Sequence, residues 1–169
     1  MLKSSVLAAV LLLPLASTAA RADVEGLPCV IDGNSLAVGS HRTNRGCQGG
    51  VVVRLFGVDA PDLAQTCRDA QNREVLCGRA SASNLLEMVK GKNVVCKGNA
   101  RDVQGRVVAL CQIGDRDIGR EMVRQGWAMA LSRESTLYEL DEGQAHREGV
   151  GLWQTKFEVP AEWRRRNSK

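Results

Sequence analysis

The 169-residue chain has no C-x-x-C pair, and its two histidines, His41 and His146, lie far apart. That spacing argues against a zinc site, which needs clustered sulfur and nitrogen donors. Internal repeats and low-complexity segments are also absent. The longest apolar run, Val6 to Leu15, is too short to span a bilayer. Nor is there a large excess of one charge sign. The formal charge is +4, but the positive excess sits at the two ends, and residues 23–153 come to about −1. A body this near neutrality gives no general electrostatic attraction to nucleic acid, so any such role must rest on local arginines.

What the sequence does contain begins with Lys3, an apolar run and a small-residue stretch ending Ala20-Arg21-Ala22, the pattern of a secretory signal peptide with its cleavage site. Residues 1–22 are therefore expected to be removed, leaving a periplasmic or secreted protein with no membrane span. The remaining length suits one compact domain, expected over 23–163 and followed by a basic tail, 164–169. All six cysteines fall in the mature part, at 29, 47, 67, 77, 96 and 111. An exported chain with an even count is expected to form disulfides, although six cysteines allow fifteen pairings. The set adjacent in sequence is preferred: Cys29 with Cys47, Cys67 with Cys77, and Cys96 with Cys111.

Cys29-Val30-Ile31 and Leu36-Ala37-Val38 flank Asp32-Gly33-Asn34-Ser35, which reads as two short strands around a tight turn. Residues 39–50 read as a linker. The β-branched run from Val51 predicts a central strand that stops at Ala60-Pro61, since proline cannot donate to a ladder and restricts the residue before it. Residues 63–78 read as a polar excursion stapled by two cysteines. Apolar residues at 82, 85, 86 and 89 predict an amphipathic helix ended by Gly91. Next comes a hairpin, 93–96 with 107–111, whose long turn presents Arg106. A second helix carries Ile118, Met122 and Val123, and a third, over about 135–147, is predicted to turn Leu137, Leu140 and Ala145 inward. Strands, helix, strands, helices in that order make an α+β fold with a small, mostly antiparallel sheet.

The strand exit Val51 to Asp62 delivers Arg54, Asp59 and Asp62 to one end of a buried element. Guanidinium groups grip phosphate oxygens in a bidentate fork and stabilise growing negative charge, while a hard cation takes oxygen ligands. Arg54, Arg106, Asp59, Asp62 and Asn34 thus form a chemically coherent set for phosphodiester hydrolysis. Residue chemistry alone leaves a structural reading equally open, with Arg54 paired to Asp59 or to the third helix and Asp62 capping a turn.

The run Val-Arg-Leu-Phe-Gly-Val-Asp-Ala-Pro-Asp from Val53 resembles the R-L-x-x-[VI]-D-[TA]-P-E motif of the staphylococcal (micrococcal) nuclease or thermonuclease family. Asp102-Val103-Gln104-Gly105-Arg106 is similar to its D-x-Y-G-R, and Val123-Arg124-Gln125-Gly126-Trp127-Ala128 to its L-V-[RQ]-x-G-x-A. Asp32-Gly33-Asn34-Ser35 stands where the family has D-G-D-T. Glu142 and Gly151-Leu152-Trp153 fit its last helix and closing G-L-W. The resemblance covers about Cys29 to Trp163 in order, and it implies an OB-type five-stranded β-barrel with three helices. It also implies calcium-dependent attack of water on a DNA or RNA phosphodiester. Arg54 and Arg106 resemble the two phosphate-binding catalytic arginines. Asp59, the carbonyl of Ala60 and Asn34 resemble the calcium ligands, and Asp62 stands at the general base.

Five departures accompany these matches. Asn34 keeps an oxygen but loses a charge, so calcium is expected to bind weakly. Asp62 replaces a Glu and sets its carboxylate roughly 1.5 Å back, where about 1 Å of misplacement can cost on the order of a hundredfold in rate. Gln104 replaces a Tyr, and Ser132 and Glu134 occupy the region where tyrosines contact the nucleotide. Two readings follow: a secreted monomeric nuclease, slow or not, or a catalytically degenerate envelope protein. The second would bind an anionic polymer, exopolysaccharide included, or a protein partner. Asp69 and Glu74 are candidates for a substitute base. Trp163 reads as docked, with Arg164-Arg165-Arg166 a solvated tail.

Overall fold

Only Leu27 separates strand β1 (Val24–Gly26) from strand β2 (Pro28–Asp32). The chain continues through β3 (Ser35–Val38), β4 (His41–Thr43), β5 (Gly46–Gln48), β6 (Val51–Leu55), β7 (Val58–Asp59), β8 (Cys67–Arg68), β9 (Glu74–Val75) and helix α1 (Cys77–Val89). After these come β10 (Val94–Arg101), β11 (Val107–Ile113), β12 (Arg116–Asp117), α2 (Ile118–Arg124), β13 (Met129–Ala130), α3 (Glu139–Glu148), a short 3-10 helix (Gly151–Gln154) and α4 (Pro160–Asn167). The structure, a computed structural model, describes residues 23–167. The expected signal peptide lies outside the described residues.

The strand order of the main sheet is β1-β10-β11-β6-β3-β2. β1 and β2 therefore stand at opposite edges although one residue joins them, so the sheet must curl until its edges meet. Gly39 N and Ser40 N, just past β3, both donate to Leu27 O (3.0 and 3.3 Å), which ties the seam. With β1 and β2 read as one bent strand, the barrel has five strands, and β12 is an addition paired to the end of β11. The fold is α+β of the OB type. Every pairing in the main sheet is antiparallel except that of β11 with β6.

Leu36, Val38, Val53, Leu55, Val94 and Ala109 fill the barrel, and Leu85, Val89, Ile118, Met122 and Val123 of α1 and α2 cover its end. Alternation along β6 is the device that serves the site: Val53 and Leu55 are buried, so Arg54 projects from the opposite face. α2 is capped at its start by Asp117, whose side chain accepts from Arg120 N at 3.1 Å. The three disulfides are Cys29–Cys47, Cys67–Cys77 and Cys96–Cys111, the set adjacent in sequence.

Four local expectations change. Residues 39–50 are not a plain linker, because His41–Thr43 and Gly46–Gln48 form a small hairpin that Cys47 fastens to Cys29. The stapled excursion likewise holds the hairpin of β8 and β9. α3 begins at Glu139, and of the three residues expected inward only Ala145 is buried, with Leu137 and Leu140 42% and 88% exposed; the buried anchor is Tyr138, whose hydroxyl donates to Asp117 Oδ2 at 2.8 Å. Among the described residues there are four α-helices rather than three, because the stretch read as the start of a basic tail folds as α4.

Candidate active site

Cross-strand register brings the two arginines together. Arg54 on β6 lies opposite Ser35 of β3 and Val108 of β11, and Arg106 immediately precedes β11. Arg106 Nη1 donates to Ser35 Oγ at 3.0 Å. Asp102 completes the link: its Oδ2 accepts from Arg106 Nε at 2.7 Å and lies 3.5 Å from Arg54 Nε. Its Oδ1 accepts from Gln104 N and Arg106 N, each at 3.0 Å. One carboxylate thus shapes the turn and aims both guanidinium groups. Burial works against charge on Asp102, but the hydrogen bonds and charge of Arg106 outweigh it and hold its carboxyl below the ordinary range.

The acidic half is set by the chain after β6. Asp59 ends β7, pairs in register with Met129 of β13 and is almost fully buried. Asn34, in the turn between β2 and β3, donates from Nδ2 to Val58 O at 3.2 Å, placing it beside Asp59. Gly33 is required there because a Cβ would lie 2.7 Å from Ala60 Cβ and 2.0 Å from Ser81 Oγ. Asp62 is held from its backbone. Its carbonyl accepts from Gln65 N at 2.8 Å, and a Cβ on Gly78 would lie 1.7 Å from that same oxygen. The Cys67–Cys77 bridge brackets this packing, so the stapled loop is the mount for Asp62.

All six predicted residues, Asn34, Arg54, Asp59, Ala60, Asp62 and Arg106, line one cavity of about 940 Å³. Asp69 and Glu74 do not line it; Asp69 is instead tied to Arg73 by a 2.7 Å ion pair. His146 packs edge-on against Trp153, ring centroids 4.7 Å apart, away from these groups.

Besides Asp102, two further residues not predicted for the site complete it. Glu134 grips Arg54 in a fork, Oε1 to Nη2 at 2.5 Å and Oε2 to Nη1 at 3.0 Å, and Oε2 also accepts from Gly57 N at 2.8 Å. The hydrogen bond to Glu134 raises the pKa of Arg54. In return Arg54 and Gly57 N overcome the burial penalty and lower that of Glu134. Arg164 is no solvated tail residue. Its Nη2 donates to both Asp59 oxygens at 2.9 and 2.7 Å, and its Nη1 to Asp62 Oδ2 at 2.9 Å. A signal for α4 was present in Val159-Pro160-Ala161-Glu162: proline at the first helical position and an acid in the first turn mark a helix start.

Residues 52–155 match the family model of the staphylococcal nuclease homologue. The chain belongs to this family. Among its relatives, an "Uncharacterized endonuclease" of Haemophilus influenzae is 30% identical over 118 residues, covering 68% of this chain and 61% of the relative. "Probable endonuclease LCL3" of Clavispora lusitaniae is 33% identical over 122 residues, 69% of this chain and 46% of that protein. The protein of the same name in Schizophyllum commune is 28% identical over 134 residues, 68% and 44%. The match therefore spans at most about three fifths of these relatives' own length. The cavity holds a pair of arginines and a pair of carboxylates, and each pair already carries an internal counter-ion, Glu134 on Arg54 and Arg164 on Asp59 and Asp62.

Asp59, Asp62, Asn34 and Ala60 line the acidic half, and between them they carry two carboxylates, one amide oxygen and a backbone carbonyl. Among the described residues no group of three or more His, Cys, Asp or Glu side chains forms a metal cluster. The donor set is nonetheless of the hard-oxygen kind a calcium ion takes, and the guanidinium between Asp59 and Asp62 shows that this position accepts a cation.

Proposed function

We propose that this protein is an exported nuclease that hydrolyses phosphodiester bonds of DNA or RNA with calcium. The observation that carries the reading is Asp102 bridging Arg54 and Arg106 in the same cavity as Asp59 and Asp62. Arg54 and Arg106 bind the phosphate from the barrel face and stabilise the charge that grows on its oxygens as water attacks. Asp62 takes the water's proton, directly or through a second water, because its carboxylate is one methylene shorter than a glutamate's. Asp59, Asn34 and the Ala60 carbonyl would hold calcium, which would supply positive charge beside the phosphate. Three disulfides support an oxidising compartment, periplasmic or extracellular. A monomer acting on a single strand is the simplest form of this reading.

A second reading has its own observation. Glu134 occupies the phosphate grip and Arg164 the carboxylates, an arrangement that suits a non-catalytic envelope protein binding an anionic polymer or a protein partner. Restoration of the departures separates the two. The oxidised protein and its Asn34→Asp, Asp62→Glu variant are incubated with single-stranded DNA and RNA, in calcium and in chelator. The nuclease reading expects cleavage by the parent that chelator abolishes. A silent parent whose variant cleaves strongly supports the degenerate reading instead.

A further inference from the structure

Arg164 is joined to the body of the domain almost entirely through Asp59 and Asp62. The segment before it is well fastened. Arg68 and Lys156 exchange backbone hydrogen bonds at 2.9 and 2.8 Å, and Gln65 Nε2 donates to Glu158 O at 2.7 Å; from α4 itself, Arg166 reaches back to Glu158 at 2.5 Å. Within α4 itself, however, only Pro160 is buried. A helix with so little apolar burial takes its position from the polar contacts it makes. Asp59 is almost wholly buried and would pay heavily for an unmatched charge; among the described residues, Arg164 is its ion-pair partner.

Arg164 donates to three of the four oxygens on the two carboxylates. A calcium ion on Asp59 would have to approach the two oxygens that Arg164 Nη2 covers, next to the Asp62 oxygen held by Nη1. The guanidinium takes the space in front of both carboxylates, and two positive charges at contact distance repel.

We infer that Arg164 is a built-in cation that takes the metal's place, so that docking of α4 and binding of a divalent ion exclude each other. The inference rests on reading Asp59 as a metal ligand with Asp62 beside it, and it adds a control that the reading does not contain. Metal must open the latch before it binds, so its apparent affinity is reduced by the fraction of molecules with α4 released. By reciprocity, calcium loosens α4.

The test uses the full chain with its disulfides intact and calcium alone as the probe. Calorimetric titration is expected to show Arg164→Gln binding calcium at least tenfold more tightly than the native protein. Arg164→Lys should fall between them, and Arg166→Gln, which breaks the pair with Glu158 but leaves Asp59 and Asp62 covered, should shift the affinity far less than Arg164→Gln. Hydrogen exchange on the native protein needs no substitution: saturating calcium is expected to accelerate exchange of the backbone amides from Trp163 to Asn167. Equal affinities for native and Arg164→Gln protein, calcium binding by neither, or calcium taken up with α4 exchange unchanged would overturn the inference. Equal affinities, or uptake with α4 exchange unchanged, overturn the latch and leave the nuclease reading standing, whereas calcium binding by neither protein overturns both.

Discussion

Glu134 is the residue whose sequence position said least about its role. The resemblance set it only in a region expected to contact nucleotide, whereas in the fold its two oxygens occupy the fork of Arg54 that a phosphate would use. Substrate must therefore displace a charge-assisted pair, which is worth on the order of 1.5–3 kcal/mol. Glu134→Gln is expected to tighten binding of a short single-stranded oligonucleotide by roughly tenfold or more, read by calorimetry; unchanged or weaker binding would contradict the competition. The same pair sets an acid response. Glu134 and Asp102 have folded-state pKa values below their ordinary 4.5 and 3.8, so their stabilisation is complete above those values and is lost as pH falls through the depressed ones. Thermal unfolding should accordingly decline below about pH 4.5, and Glu134→Gln should flatten the upper part of that decline.

Among elements, the stapled loop matters more than its polar composition suggests. Its bridge closes a ten-residue separation, and its neighbour Gly78 lies against the backbone of Asp62. Replacing Cys67 and Cys77 together by alanine is expected to cost about 2–3 kcal/mol of unfolding free energy. It should also lower cleavage beyond the loss of folded protein, because Asp62 loses its mount. The Cys29–Cys47 bridge fastens the β4–β5 hairpin instead. Its removal should lower stability with cleavage per folded molecule preserved. Gly78→Ala offers a sharper version of the same test: the backbone must move to admit a methyl group, and a loss on the order of 1–3 kcal/mol is expected in denaturant unfolding.

For the whole molecule, the fold was readable because several local signals agreed. The helical spacing from 82 to 89 and the hairpin around Gly105 match their elements, and Asn34, Arg54, Asp59, Ala60, Asp62 and Arg106 share one cavity; the single strand expected from Val51 to Ala60-Pro61 is instead split by a turn at Phe56-Gly57 into β6 and β7, which belong to different sheets. What was not readable is long-range and ionic. Arg54 with Glu134 spans 80 residues, and Arg164 with Asp59 spans 105; charge pairs of that separation leave no periodic trace. Leu140 was misplaced because the inward anchor of its segment is Tyr138, just before α3 begins. The central claim is that the arginine pair bridged by Asp102 is the catalytic grip on phosphate, and single-turnover cleavage of a labelled single-stranded oligonucleotide in calcium tests it most directly. The account predicts that Arg54→Ala and Arg106→Ala each lower the rate by on the order of 10²–10³ while circular dichroism still reports a folded chain. Cleavage by either folded variant at the native rate would contradict it.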